Sequence, residues 1–258
     1  MVLRRRRMST PFPFAPVGAS PAFDREALHY RLNWDTKPIV GIWRGRVLAE
    51  VLAGARCGVR VVDIGSGSGA DAAALTAAGC SVTAVEPSAG MRAVAAQRGV
   101  NALAGDLAAL PALVLAPFDV ALLNFGVLNC VPALEGLEAR LREMLVLGGR
   151  VVLVWMSARC PVDTLACLVR GRRPRRRRPQ AIVAGRAIPV FWWSVAEVTA
   201  ALGSSFRVRR VEALGLLVPS PELGGRPGLR SAIDPWLSRL PLLREWGDHT
   251  LLVAERVA

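Results

Sequence analysis

Two acids and three glycines in fixed order carry the chemistry that can be read in this chain. Val59, Val61, Val62 and Ile64 make a strand buried on both faces, which carries Asp63 and then turns through Gly65, Ser66, Gly67, Ser68 and Gly69. Glycines at alternate positions remove Cβ atoms where the backbone needs unusual torsions and where a ligand approaches the main chain closely. The alanine-rich run 70–78 continues as a helix whose first N–H groups point at that ligand. Asp63 can accept hydrogen bonds from a cationic or hydroxylic group. Glu86 stands 21 residues after Gly65, at the end of the β-rich segment 81–85, where a doubly wound α/β fold holds a ribose diol. Together these residues form the floor of a pocket for a nucleotide-type cofactor.

The glycine pattern narrows the cofactor. Residues 65–70 read G-x-G-x-G and follow an acid, whereas the dinucleotide turn reads G-x-G-x-x-G. From Val59 to about Trp155 the chain resembles the core of a class I S-adenosylmethionine-dependent methyltransferase, with the parts in the family's order. Residues 61–69 are similar to its glycine-rich first motif. Ala84, Val85, Glu86, Pro87 and Ser88, with Met91, resemble the second-strand motif whose acid binds the ribose hydroxyls. Gly105, Asp106 and Leu107 resemble the segment that contacts the adenine. Residues 118–129, with Asn124, Phe125 and Gly126 in the loop, resemble the fourth strand and the loop beside the transferred methyl group. Leu147, Gly148, Gly149 and Arg150 resemble the turn before the fifth strand, with leucine where the family usually has proline. The stretch 125–131 and Trp246, Gly247, Asp248 and His249 look like a bacterial subgroup that acts on small molecules.

The resemblance implies S-adenosyl-L-methionine as cofactor, bound by Gly65, Ser66, Gly67, Gly69, Asp63, Glu86, Pro87, Ser88, Met91, Asp106, Leu107, Asn124, Phe125 and Gly126. Related enzymes close over the methionine end with an N-terminal Tyr and Arg, which here implies Tyr30 and Arg44. The implied fold is a Rossmann-like three-layer α/β/α sandwich: a seven-stranded, mostly parallel sheet with an antiparallel last strand.

Pattern along the chain gives the layout that positions these groups. Residues 1–21 read as a disordered arm and residues 22–258 as one methyltransferase domain, a size that needs no split. Residues 21–54 should form helical caps over the cofactor, followed by alternating strands and helices to Trp155. The segment after Ser157 reads as a loop bearing an arginine run, and residues 192–202 as a helix. Residues 206–214 and 250–257 read as the last two strands, with a Pro- and Gly-rich stretch between them. Insertions at about 157–192 and 215–243, with the N-terminal segment, should surround the acceptor, because loops beyond the strand ends frame the ligand crevice. Trp34, Trp43, Phe191, Trp192, Trp193 and Trp236 can line an apolar acceptor pocket there.

Charge is local. Of the net +13, residues 4–7 supply four arginines and residues 170–178 seven, leaving +2 for the remainder. Such runs can hold phosphate, RNA or an anionic membrane surface. Proline-broken arginine segments without interleaved aromatics read first as solvated loops, which makes nucleic acid the lesser partner. No apolar run is long and charge-free enough for a membrane span, and prolines at 11, 13 and 16 break any secretory core. Five cysteines without a C-x-x-C pair, and only His29 and His249 beside them, point to a reducing cytoplasm and no structural metal.

The expected reaction is direct in-line transfer of a methyl group to a small, partly apolar metabolite. An oxygen acceptor must lose a proton, and His249 or His29 can take it. Three other readings fit parts of the chain: an RNA-associated methyltransferase using the arginine runs, a non-catalytic module that keeps the pocket, and an NAD-dependent oxidoreductase.

Overall fold

The computed structural model describes residues 20–53, 58–107, 117–174 and 178–258. Outside these lie nearly all of the expected arm, including residues 4–7, together with Cys57 and Arg175 to Arg177. Ser20 and Pro21, counted with the arm from sequence, instead open the first helix.

Helices α1 (Ser20–Asn33) and α2 (Pro38–Leu52) precede a regular alternation. It runs β1 (Arg60–Ile64), α3 (Ala70–Ala77), β2 (Ser81–Glu86), α4 (Ala89–Ala96), β3 (Leu103–Ala104), β4 (Phe118–Leu123), α5 (Leu137–Met144) and β5 (Leu145–Met156). Helix α6 (Pro161–Val169), a hairpin β6 (Gln180–Val183) and β7 (Arg186–Pro189), and α7 (Val195–Leu202) follow. Strand β8 (Phe206–Leu214), helix α8 (Leu229–Leu237) and strand β9 (His249–Arg256) end the chain.

Seven strands form one sheet in the order β3-β2-β1-β4-β5-β9-β8, and β9 alone runs against its neighbours. Period-two alternation builds the two faces. Val62, Ile64, Val151, Leu153, Trp155 and Leu252 point to a core closed by α5 and α7, while Val61, Val152, Val154, Leu251 and Val253 point to one closed by α2 and α3. Both faces are covered, so the strands read as continuous apolar runs. This is the three-layer sandwich expected from sequence.

Local chemistry fixes the joints. Ser88 caps α4 by accepting from Met91 N, and Ser194 and Glu197 form a reciprocal capping box at α7. Arg150 donates to the last carbonyls of α2 at Glu50 and Val51. Asn129 joins three segments: it donates to Phe191 O at 2.8 Å and accepts from Met156 N at 2.7 Å. The loop after β4, the end of β5 and the segment after β7 are thereby held together.

Two segments differ from the sequence reading. Residues after Ser157 form helix α6 and hairpin β6–β7 in place of a loop, and the Pro- and Gly-rich stretch carries helix α8. The hairpin turns through Ala184 and Gly185, both at positive φ (46° and 77°). That is the twist a two-residue hairpin needs, but alanine is an uncommon residue to supply it. Among the described residues, no helix is long and apolar enough to cross a membrane.

Candidate functional site

The carboxyl ends of β1, β2 and β4 open onto a cavity of about 950 Å³. Gly65 and Gly67, at φ of +69° and +54°, carry the chain round its floor. A Cβ on Gly65 would stand 2.7 Å from Val127 Cγ2, so the loop after β4 packs directly on the turn. Helix α1 crosses α4 just as closely. Ser88 Oγ and Gly90 N both donate to Asp24 Oδ1, and a Cβ on Gly90 would fall within 2.4 Å of the Asp24 carbonyl.

The acids at the floor are buried and only partly compensated. Glu86 accepts from Gly67 N and Ser88 N, each at 2.8 Å, and burial raises its pKa. Asp63 is 1% exposed. Burial first, then the charges of Asp71 and Glu86, push its pKa well above the carboxylate range. Asp63 Oδ2 and Ser66 Oγ are buried without a hydrogen-bond partner. Of the two, Ser66 lies on the cavity lining, where its unpartnered hydroxyl fits a ligand with polar groups.

An ionic network closes one wall. Arg44 Nε donates to Asp71 Oδ1 at 2.6 Å and Arg44 Nη2 to Asp35 Oδ1 at 3.0 Å. Asn124 Nδ2 donates to Asp71 Oδ2, and Ser68 Oγ and Arg98 Nη2 donate to Asp35. Burial pulls the Arg44 pKa down, but Asp71 and Asp35 hold it above its ordinary value. Its guanidinium also lies 5.6 Å from the centre of the Phe125 ring. Phe125 is one of two described non-glycine residues at positive φ (47°), a strained conformation held where it meets the cavity.

His249 opens β9 and is boxed in by aromatic rings. Phe125 meets it edge-on at 5.3 Å, with Trp43 at 5.9 Å and Trp34 at 6.1 Å. Its Nδ1 lies 2.8 Å from Asp248 Oδ2, an ion-pair distance off the line of a hydrogen bond. His29, the other candidate base, is exposed on α1 beside Glu26 at the cavity edge.

Tyr30, Arg44, Gly65, Ser66, Gly67 and Glu86 line the cavity, as do Pro87, Met91, Asp106, Leu107, Asn124, Phe125, Gly126 and His249. Burial and the nearby Asp35 raise the Tyr30 pKa. Asp63, Gly69 and Ser88 stand behind the wall instead: Asp63 accepts from Ala72 N, Gly69 precedes α3, and Ser88 caps α4. Of the expected aromatic acceptor residues, Trp34 and Trp192 reach the cavity. Trp43 and Trp193 pack with the two cores, and Phe191 stacks on Trp193. Trp236 is 82% exposed on α8, outside the cavity wall.

Sequence reasoning missed Asp35, Ser68 and Asp71. Asp71 was visible as an acid in the first turn after the glycines, whereas Asp35 sits in a short connection with no pattern around it. It also missed the apolar wall from Cys167, Val183, Ile188 and Val190. Cys160, Asp163 and Asp248 place one potential metal ligand atom each within 4.8 Å of one another, a grouping the sequence reading did not find. Asp163 Oδ1 there accepts from Ser220 N. Burial pushes the Cys130 thiol up to about 11, which leaves it protonated and unsuited to nucleophilic work.

Strand order, glycine turn and the acid closing β2 together define a Rossmann-like α/β/α fold whose sheet reverses only at β9. Residues 62–153 match a family model described as a methyltransferase domain. A demethylmenaquinone methyltransferase of Beutenbergia cavernae is 34% identical over 146 residues, covering 55% of this chain and 59% of the relative. The chain thus spans little more than half the length of that curated relative. Two solved structures share the fold. The N-methyltransferase NodS of Bradyrhizobium japonicum WM9, with bound S-adenosylhomocysteine, has 17% identity and a TM-score of 0.53, covering 92% of this chain and 97% of its own. The magnesium protoporphyrin IX methyltransferase of Synechocystis PCC 6803, also with S-adenosylhomocysteine, has 20% identity and a TM-score of 0.53, covering 92% and 94%.

Proposed function

We propose that the protein is an S-adenosylmethionine-dependent methyltransferase acting on a small, partly apolar acceptor. The observation that carries this reading is the glycine turn on a roomy cavity, lined by Gly65, Gly67 and Glu86, with Ser66 Oγ buried there and unpartnered. Glu86 would take the ribose hydroxyls, and Asp106 and Leu107 the adenine. The acidic network around Arg44 would face the methionine end. S-adenosylmethionine supplies a methyl group on positively charged sulfur, with a neutral thioether as leaving group.

The chain's own residues then have three tasks. Phe125, Trp34 and the apolar wall exclude water and hold the acceptor in line with the methyl group. His249 takes the acceptor's proton, and Asp248 steadies the imidazolium that forms. The glycine turn and Glu86 fix the methyl donor. The apolar lining from Val183, Ile188 and Val190 favours an apolar acceptor, and demethylmenaquinone, named for the curated relative, is the first to try.

Calorimetric titration with S-adenosylhomocysteine tests the cofactor. Wild type should bind, and Glu86→Ala should lose about tenfold or more, as a ribose-binding carboxylate is worth at least a charged hydrogen bond. Equal binding by both, or binding of NADH in its place, would refute the assignment.

A further inference from the structure

Helix α6 has two differently used faces. Asp163, Thr164 and Cys167 line the cavity. Leu165, Leu168 and Val169, spaced i, i+3 and i+4, are 59–77% exposed on the other side. Ile182, on the neighbouring hairpin at the cavity edge, is 72% exposed. Helix α1, which packs against β6, adds exposed Leu28 and Leu32 one turn apart. Elements that line the cavity therefore also carry an exposed apolar rim. Directly after α6 come the seven arginines of residues 170–178, without an acid among them, and Arg170, Arg172, Arg173 and Arg178 are exposed.

We propose that this rim docks on an anionic lipid surface, with the cavity mouth turned towards the bilayer. The inference rests on the reading of the site as one for an apolar acceptor, which would then pass from lipid to cavity without crossing water. Leucine, valine and isoleucine side chains beside a cationic run are the composition of an interfacial contact: the apolar groups enter the acyl boundary and the guanidinium groups meet the headgroups. Single-stranded RNA would need exposed aromatic platforms among the arginines, and residues 170–178 contain none. Charge and apolarity together select lipid.

Sedimentation with phosphatidylcholine vesicles, with and without phosphatidylglycerol, tests the docking. The full chain should bind only the anionic vesicles and release with added salt. Each arginine near such a surface contributes on the order of fivefold, so Arg172→Glu/Arg173→Glu should weaken partitioning by at least roughly twentyfold. Leu168→Ser/Val169→Ser should weaken it by about tenfold or more. Neither pair lines the cavity, so S-adenosylhomocysteine affinity should stay at the wild-type value in both. Wild type that ignores anionic vesicles, binding that survives both double variants, or binding lost in Trp236→Ser instead would overturn the proposal. Retention of single-stranded RNA with vesicles left unbound would also overturn it. Vesicle binding by a protein that fails to bind S-adenosylhomocysteine would uphold the docking surface and remove the methyltransferase reading.

Discussion

Arg44 Nε donates to Asp71 Oδ1 at 2.6 Å, and this contact ties α2 to the first turn of α3 beside the glycine floor. The same guanidinium reaches Asp35, so one side chain balances two carboxylates that are 10% and 4% exposed. Removing it leaves Asp71 buried with only the Asn124 amide, and Asp35 with Arg98 and Ser68 alone. Arg44→Ala should therefore cost about 3 kcal/mol in urea unfolding. Arg44→Lys should recover little, since one ammonium cannot fork to both acids. A loss below about 1 kcal/mol for Arg44→Ala, the range of an exposed pair, would contradict this account.

Gly65 offers a separate test of the floor. Its left-handed φ alone makes Gly65→Ala cost about 1–2 kcal/mol, and the collision with Val127 adds about 1–3 kcal/mol of overpacking. Trimming the obstacle should relieve only the second part. Calorimetry should find Gly65→Ala/Val127→Ala more stable than Gly65→Ala yet below Val127→Ala; equal stability of the first two would show that the contact carries no strain.

The acids at the floor give the free protein a defined pH response. Asp63 and Glu86 have raised pKa values in the folded chain, so the native state keeps their protons to higher pH than the unfolded state does. Their contribution to stability is full in acid. It declines as pH rises from the ordinary carboxylate range through the raised values. Asp63→Asn keeps an acceptor for Ala72 N without the charge, so its Tm at neutral pH should exceed wild type and its stability should depend less on pH. A lower Tm with an unchanged pH slope would place the strain elsewhere.

His249 separates chemistry from cofactor binding. His249→Gln should lower methyl transfer to the accepted substrate by about 100-fold or more. S-adenosylhomocysteine affinity should remain within about twofold of wild type, well inside the tenfold that 1.4 kcal/mol represents. Parallel loss of both would make the residue a structural support of the aromatic cluster.

The floor of the site was legible because its physics is local. A glycine turn needs its glycines in the sequence, and a carboxylate at the end of β2 sits at a spacing set by one β-α-β unit. What encloses the floor was not. Asp35 gains its meaning from Arg44, Ser68 and Arg98, which reach it from three other segments. The β6–β7 hairpin escaped notice because Ala184 takes a conformation that the alphabet normally assigns to Gly or Asn. Trp236 shows the converse error: an aromatic residue in an insertion was read as lining a pocket and stands in solvent. Asp63 shows a third kind, where the right residue in the right turn braces α3 from behind the surface it was expected to present.

Because β9 runs opposite to the other six strands of its sheet, it brings its beginning, not its end, to the rim where ligands gather. His249 is consequently the first residue of the strand, with Asp248 just before it, and is paired to Met156 on one flank and Leu214 on the other. The excursion between β8 and β9 can grow, shrink or change its binding preference without shifting the imidazole. Variation in what is recognised and constancy in what reacts are thus separated by a single reversal of chain direction.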